Sequence, residues 1–176
     1  ADGSVITWGH ADRGGDSSSI ASNLTSGVNA IFSTSQAFAA LKNDGSVVTW
    51  GSAANGGDSS SVNLDSGESS ISATARAFAA LKVDGSVVTW GDASYGGNGS
   101  GYISDLSSGV SSITSNSGAF AALKTDGSVV IWGTAGLGGN SWDPLFVHDY
   151  VYQADDEGTQ VLPSDITSIV GTSGAF

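Results

Sequence analysis

Four tryptophans recur at an almost constant interval, and this spacing constrains the fold more than any other feature of the sequence. Trp8, Trp50, Trp90 and Trp132 lie 42, 40 and 42 residues apart. Six positions before each stands Asp-Gly: Asp2-Gly3, Asp44-Gly45, Asp84-Gly85 and Asp126-Gly127. Asp-Gly between two apolar runs signals a hairpin, because Gly accepts positive φ without a Cβ clash. The flanking runs are 37–41 with 46–50, 77–81 with 86–90, and 119–123 with 128–132. They are short, β-branched or aromatic, and bounded by turn residues, so they read as strands.

A third strand is expected before each hairpin. Ile31, Ile71, Ile113 and Ile169 each stand seven residues before a phenylalanine, at Phe38, Phe78, Phe120 and Phe176. Three residues before each Ile comes Val28, Glu68, Val110 or Ile166, a column that only Glu68 interrupts. An exposed end of the column is the expectation for that residue. After each Trp come paired glycines, Gly14-Gly15, Gly56-Gly57, Gly96-Gly97 and Gly138-Gly139, followed by Asp16, Asp58, Asn98 or Asn140. Each of these Asx residues is expected to fold a local turn, since one Asx per loop falls short of the six to eight oxygens a Ca²⁺ ion takes.

Three strands per unit and no helical periodicity predict an all-β chain of tandem propeller-blade repeats, about four units, filling 1–176 as one repeat domain. The repeated Trp and Phe side chains are expected to fill the seams between units, where small Ala and Gly leave them room. The consensus reads Ser-Gly-Val-x-x-Ile, then Phe-Ala-Ala-Leu-Lys-x-Asp-Gly-Ser-Val-Val-Thr-Trp-Gly. Its clearest copies run over 26–51 and 108–133. This repeat resembles that of the regulator of chromosome condensation superfamily, and in length the bacterial β-lactamase inhibitor protein II type. The resemblance implies β-propeller blades. Relatives of this kind usually close seven, about 290 residues at this repeat length. It transfers no activity residue by residue, because nothing here matches the loops that carry nucleotide exchange, chromatin binding or β-lactamase inhibition.

Composition narrows the function. A net charge of −12 with only five Lys and Arg argues against a nucleic-acid partner, which needs clustered cations. The absence of Cys excludes disulfides, thiol catalysis and Cys-ligated zinc. No apolar run approaches the roughly 20 residues that cross a bilayer, so no membrane insertion is expected. The chain begins without Met or signal peptide, which suggests a mature product or an excerpt of something longer. The phase of the repeat adds that Phe176 aligns with Phe38 and Ala1 with Asn43, leaving four repeat positions between the two ends. The favoured expectation is a segment of a larger β-propeller or repeat array, ahead of pairing with another copy and of a small four-unit ring, whose open ends would expose strand edges.

The fourth unit departs from the rest. Trp to the next Phe takes 30, 28 and 30 residues in the first three units and 44 in the fourth. The irregular stretch near 141–165 carries Trp142, Phe146, His148, Tyr150 and Tyr152, then Asp155, Asp156 and Glu157. The five ring-bearing residues are the candidate binding site for a protein or sugar, and the three carboxylates the candidate Ca²⁺ site. The competing expectation is an extra hairpin that buries its aromatics and solvates the acidic residues at its tip. His148 beside Asp149 lacks a placed nucleophile and His10 stands alone, so no enzyme is expected. The leading reading is a non-catalytic structural or protein-interaction module of a secreted or surface bacterial assembly, its partners further copies, further repeats or another protein. The alternative is a specific inhibitor-like or lectin-like binding protein that uses the insertion.

Overall fold

The fold, taken from a computed structural model, is described for residues 2–139, 153–154, 160–161 and 166–176. It holds three antiparallel sheets of three strands each, in chain order: β1 Val28–Ser33, β2 Ala37–Lys42 and β3 Val47–Gly51; β4 Glu68–Ala73, β5 Ala77–Lys82 and β6 Val87–Gly91; β7 Val110–Ser115, β8 Ala119–Lys124 and β9 Val129–Gly133. The strands of each sheet pair in sequence order, so each unit is a meander with its AFAALK strand in the middle. A closed ring of sheets is not seen among the described residues.

Local chemistry sets each meander. Gly45 sits at φ 78 and its N–H donates to Lys42 O, while Lys42 N–H donates to Ser46 O, closing the predicted hairpin. Asp44 accepts from both the N–H and the hydroxyl of Ser46. Asp84 and Asp126 do the same with Ser86 and Ser128. On the inner strand the register shifts between Val28 and Ala30, Glu68 and Ser70, and Val110 and Ser112, a bulge repeated in every unit. In two units the bulged serine spends its hydroxyl on the middle strand: Ser69 Oγ donates to Leu81 O and Ser111 Oγ to Leu123 O.

The middle strands are buried on both faces, which explains their alanines. Ala37, Ala39, Leu41 and Val47 of the first sheet close against Ile71, Phe78, Ala80 and Trp90 of the second. Ala77, Ala79 and Leu81 on the other face of that second sheet close against Val110, Phe120, Ala122 and Trp132 of the third. Small residues on a strand packed from two sides let neighbouring sheets approach, and the aromatics fill what remains. After each outer strand a single 3-10 turn leads into the Gly-Gly pair, at Ala11–Arg13, Ala53–Asn55, Ala93–Tyr95 and Ala135–Leu137. The chain then returns inward through a further 3-10 run at Ser18–Leu24 or a one-turn helix at Ile103–Leu106.

Two expectations are corrected, on Trp8 and on Glu68. Among the described residues three three-stranded sheets are complete. Residues 2–9 lie against the first sheet as an outer strand would, with Val5 N–H donating to Leu24 O and Val28 N–H to Gly3 O, and among the described residues no middle strand pairs with them. Among the described residues Trp8 fills no seam: it is 84% exposed, beside Ile6 at 81%. Glu68 is not an exposed column end either, since its side chain is 0% exposed. The second sheet packs against the hairpin tip of the first, where Glu68 N–H donates to Gly45 O, and that contact carries the side chain inside.

Candidate functional site

An arrangement that recurs three times among the described residues is the seam between units, where an aromatic pair of one sheet meets the glycine loop of the preceding unit. Phe38 stacks on Trp50 with centroids 5.3 Å apart, and Phe78–Trp90 and Phe120–Trp132 repeat this at 5.2 Å. Each indole N–H reaches back into the loop of the preceding unit. Trp50 Nε1 donates to Gly14 O at 3.0 Å, Trp90 Nε1 to Gly56 O at 3.1 Å and Trp132 Nε1 to Gly96 O at 3.0 Å. The accepting glycine is required twice over. Gly56 holds φ 96, and a Cβ there would stand 2.6 Å from the Phe78 ring. An aromatic pair of this kind removes roughly 300–500 Å² of largely apolar surface from water, an upper bound of about 7–12 kcal/mol per seam.

A second contact joins the inner turns. Ser35 N–H donates to Ala75 O and Ala75 N–H to Ser117 O, both at 2.9 Å, and Ser117 N–H to Ser173 O at 3.4 Å. Ser35 Oγ and Ser117 Oγ donate to the same carbonyls as their own N–H groups. Every rung runs in one direction, from the N–H of one unit to the carbonyl of the next. Within each unit a buried or half-buried polar residue ties this turn to its own outer loop. Thr34 Oγ1 donates to Asn55 O, Thr74 Oγ1 to Tyr95 O, and Asn116 Nδ2 to Leu137 O. Those three residues were invisible in a Ser- and Thr-rich sequence, and only their recurrence about 40 positions apart could have marked them.

The recurring Asx side chains make turns. Asp16, Asp58 and Asn98 accept from the N–H two residues on, at Ser18, Ser60 and Ser100. These bonds hold the Asp16 and Asp58 carboxyls below their ordinary pKa, chiefly through the backbone N–H. Asn140 lies outside the described residues. A groove of about 600 Å³ runs between the first two outer loops, lined by Asp12, Asp16, Ile20, Trp50, Asp58 and Ser60 among others. Among the described residues no group of three or more His, Cys, Asp or Glu stands together as a metal site would require.

The buried carboxylate of Glu68 is unlike anything in the other units. Its Oε1 lies 3.2 Å from Lys82 Nζ, an ionic contact, yet neither oxygen accepts a hydrogen bond. The equivalent Val28 and Val110 pair with Lys42 and Lys124 and offer them no carboxylate. All eight candidate residues of the insertion, Trp142, Phe146, His148, Tyr150, Tyr152, Asp155, Asp156 and Glu157, lie outside the described residues. Gln153–Ala154 (β10) pairs antiparallel with Gln160–Val161 (β11). His10 is exposed at the start of the first 3-10 turn.

Fold and seam together define a tandem array of three-stranded antiparallel units. Compared with known proteins, the chain matches no family model and no curated protein. No helix among the described residues is long and apolar enough to cross a membrane.

Proposed function

We propose that the chain is a non-catalytic scaffold of propeller-type blades that works through protein–protein contact in a secreted or surface bacterial assembly. The observation that carries this reading is the threefold repetition of one seam, in which the conspicuous side chains are consumed by packing and turn formation. Trp50, Trp90, Trp132, Phe78 and Phe120 are buried between units. The recurring aspartates are held by their own loops. What such a chain offers a partner is an extended acidic surface, with a net charge of −12. The resemblance to regulator of chromosome condensation repeats supports blades and leaves the partner unspecified.

Cross-linking mass spectrometry on intact source cells tests this reading. Links from the chain to other surface proteins or to further copies are expected, and recovery solely as an unlinked intracellular species would refute it. A second reading, a specific inhibitor-like or lectin-like binder, is favoured by the one break in the repeat, the 14 or so additional residues near 141–165.

A further inference from the structure

We propose that Asn98 is a site of spontaneous conversion to aspartate, assisted by the Ser100 N–H and the Thr89 hydroxyl, and that the fold withholds the chemically identical pair Asn55-Gly56 from the same reaction. The reagent is water and the other product is ammonia. An Asn followed by Gly is the pair most open to attack by the next backbone nitrogen, because Gly brings no Cβ to obstruct the approach. The sequence holds two such pairs, Asn55-Gly56 and Asn98-Gly99.

The reaction closes a five-membered ring. Gly99 N gives up its proton and attacks Asn98 Cγ. The N–Cγ bond forms, the Cγ–Nδ2 bond breaks, and Nδ2 takes up a proton and leaves as ammonia. Water then opens the ring, with nothing oxidised or reduced. Opening at Cγ leaves aspartate on the normal main chain. Opening at the Asn98 backbone carbonyl leaves iso-aspartate, whose main chain runs through the former side chain.

At Asn98 the geometry serves these steps. The residue is exposed, in the loop between the Gly-Gly pair and the next 3-10 turn. Ser100 N–H donates to Asn98 Oδ1 at 2.9 Å. Negative charge gathers on that oxygen as the nitrogen adds, so the bond strengthens along the reaction. The Gly99 N–H, whose proton must be lost, donates to Thr89 Oγ1 at 2.8 Å. A hydroxyl can take up one proton while passing on its own. Asn55 is held in the opposite way. It is 8% exposed, and its Nδ2 donates to Ser52 Oγ at 2.8 Å. Gly56 N–H donates to the Ala53 carbonyl, which has no proton to pass on. Gly56 is also clamped at φ 96 against the Phe78 ring, so cyclisation there has to wait for the seam to open. The product at 98 has a precedent in the molecule. Asp16 and Asp58 occupy the equivalent positions and accept the same bond from Ser18 and Ser60, each at 2.9 Å. Aspartate at 98 therefore keeps the turn and adds a carboxylate to the outer loops, whereas iso-aspartate, one carbon longer in the main chain, loses it.

Peptide mapping by mass spectrometry tests this on the 176-residue chain, aged in mildly alkaline buffer both folded and in guanidinium chloride. In denaturant both pairs are expected to gain about 1 Da at similar rates, since their chemistry is the same. In the folded chain Asn98 is expected to convert within about tenfold of its denatured rate. Asn55 is expected to fall at least about a hundredfold below its own, because it reacts only through local opening. T89V, its folding checked by circular dichroism, is expected to slow Asn98 at least about threefold when folded and not at all when denatured. T89S keeps the hydroxyl and is expected to keep the parent's rate. A folded chain in which Asn98 persists while the denatured chain converts overturns the proposal. So does an Asn55 that keeps pace with Asn98 in the folded chain, or a folded T89V chain that ages as fast as the parent.

Discussion

Replacing Glu68 by valine is expected to stabilise the protein, although it removes an ion pair. The carboxylate is fully buried, touches one ammonium at 3.2 Å and accepts no hydrogen bond. Desolvating a carboxylate costs several kcal/mol, and a single imperfect contact does not return that amount. Exchanging such groups for apolar ones gains about 1–4 kcal/mol in comparable cases. Valine is smaller than glutamate, and a methyl-sized gap costs about 1 kcal/mol of that. The net expectation is a gain of about 1–2 kcal/mol, or roughly 3–6 °C in Tm for a chain of this size. The molecule supplies its own control, because Val28 and Val110 occupy the equivalent positions beside Lys42 and Lys124. Lys42 is held there by the Asn23 carbonyl at 2.8 Å, and Lys82 has the equivalent Asn63 carbonyl at 3.4 Å to fall back on.

Urea denaturation followed by circular dichroism measures the effect. Glu68→Gln keeps the shape but buries amide donors without acceptors, and is expected to cost about 1–3 kcal/mol. Stability should therefore rank valine first, then the native glutamate, then glutamine. Lys82→Met closes the cycle: it strands a buried charge in the parent, costing about 3–5 kcal/mol, and should cost less than about 1 kcal/mol in the Glu68→Val background. A Glu68→Val chain less stable than the parent by about 1 kcal/mol or more would refute the reasoning, since it would show that the carboxylate is well satisfied where it lies.

Gly56→Ala combines a left-handed backbone with a clash against Phe78, and is expected to cost about 2–4 kcal/mol. Gly67→Ala, at φ 89 with nothing within 4 Å, should cost only the backbone strain of about 1–2 kcal/mol, and unfolding midpoints compare the two. The Ser46, Ser86 and Ser128 hydroxyls, followed by their N–H groups, hold Asp44, Asp84 and Asp126 below the ordinary carboxylate pKa. A lowered folded pKa means that this stabilisation is fully present above about pH 4 and is lost as pH falls through the folded values. The triple Asp→Asn variant should accordingly show a flatter fall in urea midpoint between about pH 5 and pH 2. If the insertion is a dedicated binding site, joint replacement of Trp142, Phe146 and Tyr150 by Ala abolishes partner capture while the β-sheet dichroism is unchanged; capture that survives discards that site.

The sheets were legible in the sequence because their determinants are local. Asp-Gly closes a hairpin wherever it falls between apolar runs, and the Asx residues after Gly-Gly need only the N–H two positions on. Position within the array was less legible. Trp8 carries the same local signature as Trp50, yet burial of an indole depends on a neighbouring Phe and Gly that periodicity does not guarantee. Glu68 misled for a related reason. As a residue type it suggests solvent, whereas its register on β4, opposite Lys82, places it against the hairpin tip of the preceding unit. Thr34, Thr74 and Asn116 passed unnoticed because two residue types share one task in a chain where such side chains are abundant.

The seam also limits how these units can assemble. Its two sides differ: one presents an indole N–H and an inner-turn carbonyl, the other a glycine carbonyl and an inner-turn N–H. Two like faces laid outer loop on outer loop set donor against donor and acceptor against acceptor, each buried unpaired group costing about 1–3 kcal/mol. Turning one of them end for end would carry each indole to the partner's inner turn, away from the glycine loop that packs against its Phe. A two-fold symmetric contact requires one face to match itself, whereas the seam between these units joins two different faces. Units joined this way add in one direction only. They close into a ring if the rotation per unit brings the last face to the first, and extend as an open array if it does not. The choice rests with the inner ladder, because successive turns at Ser35, Ala75, Ser117 and Ser173 are already held at hydrogen-bonding distance. Widening the outer loops while keeping that ladder would increase the angle between units, so lengthening the connection between Gly57 and Leu64 should alter that angle, read by small-angle X-ray scattering, without weakening the joint itself.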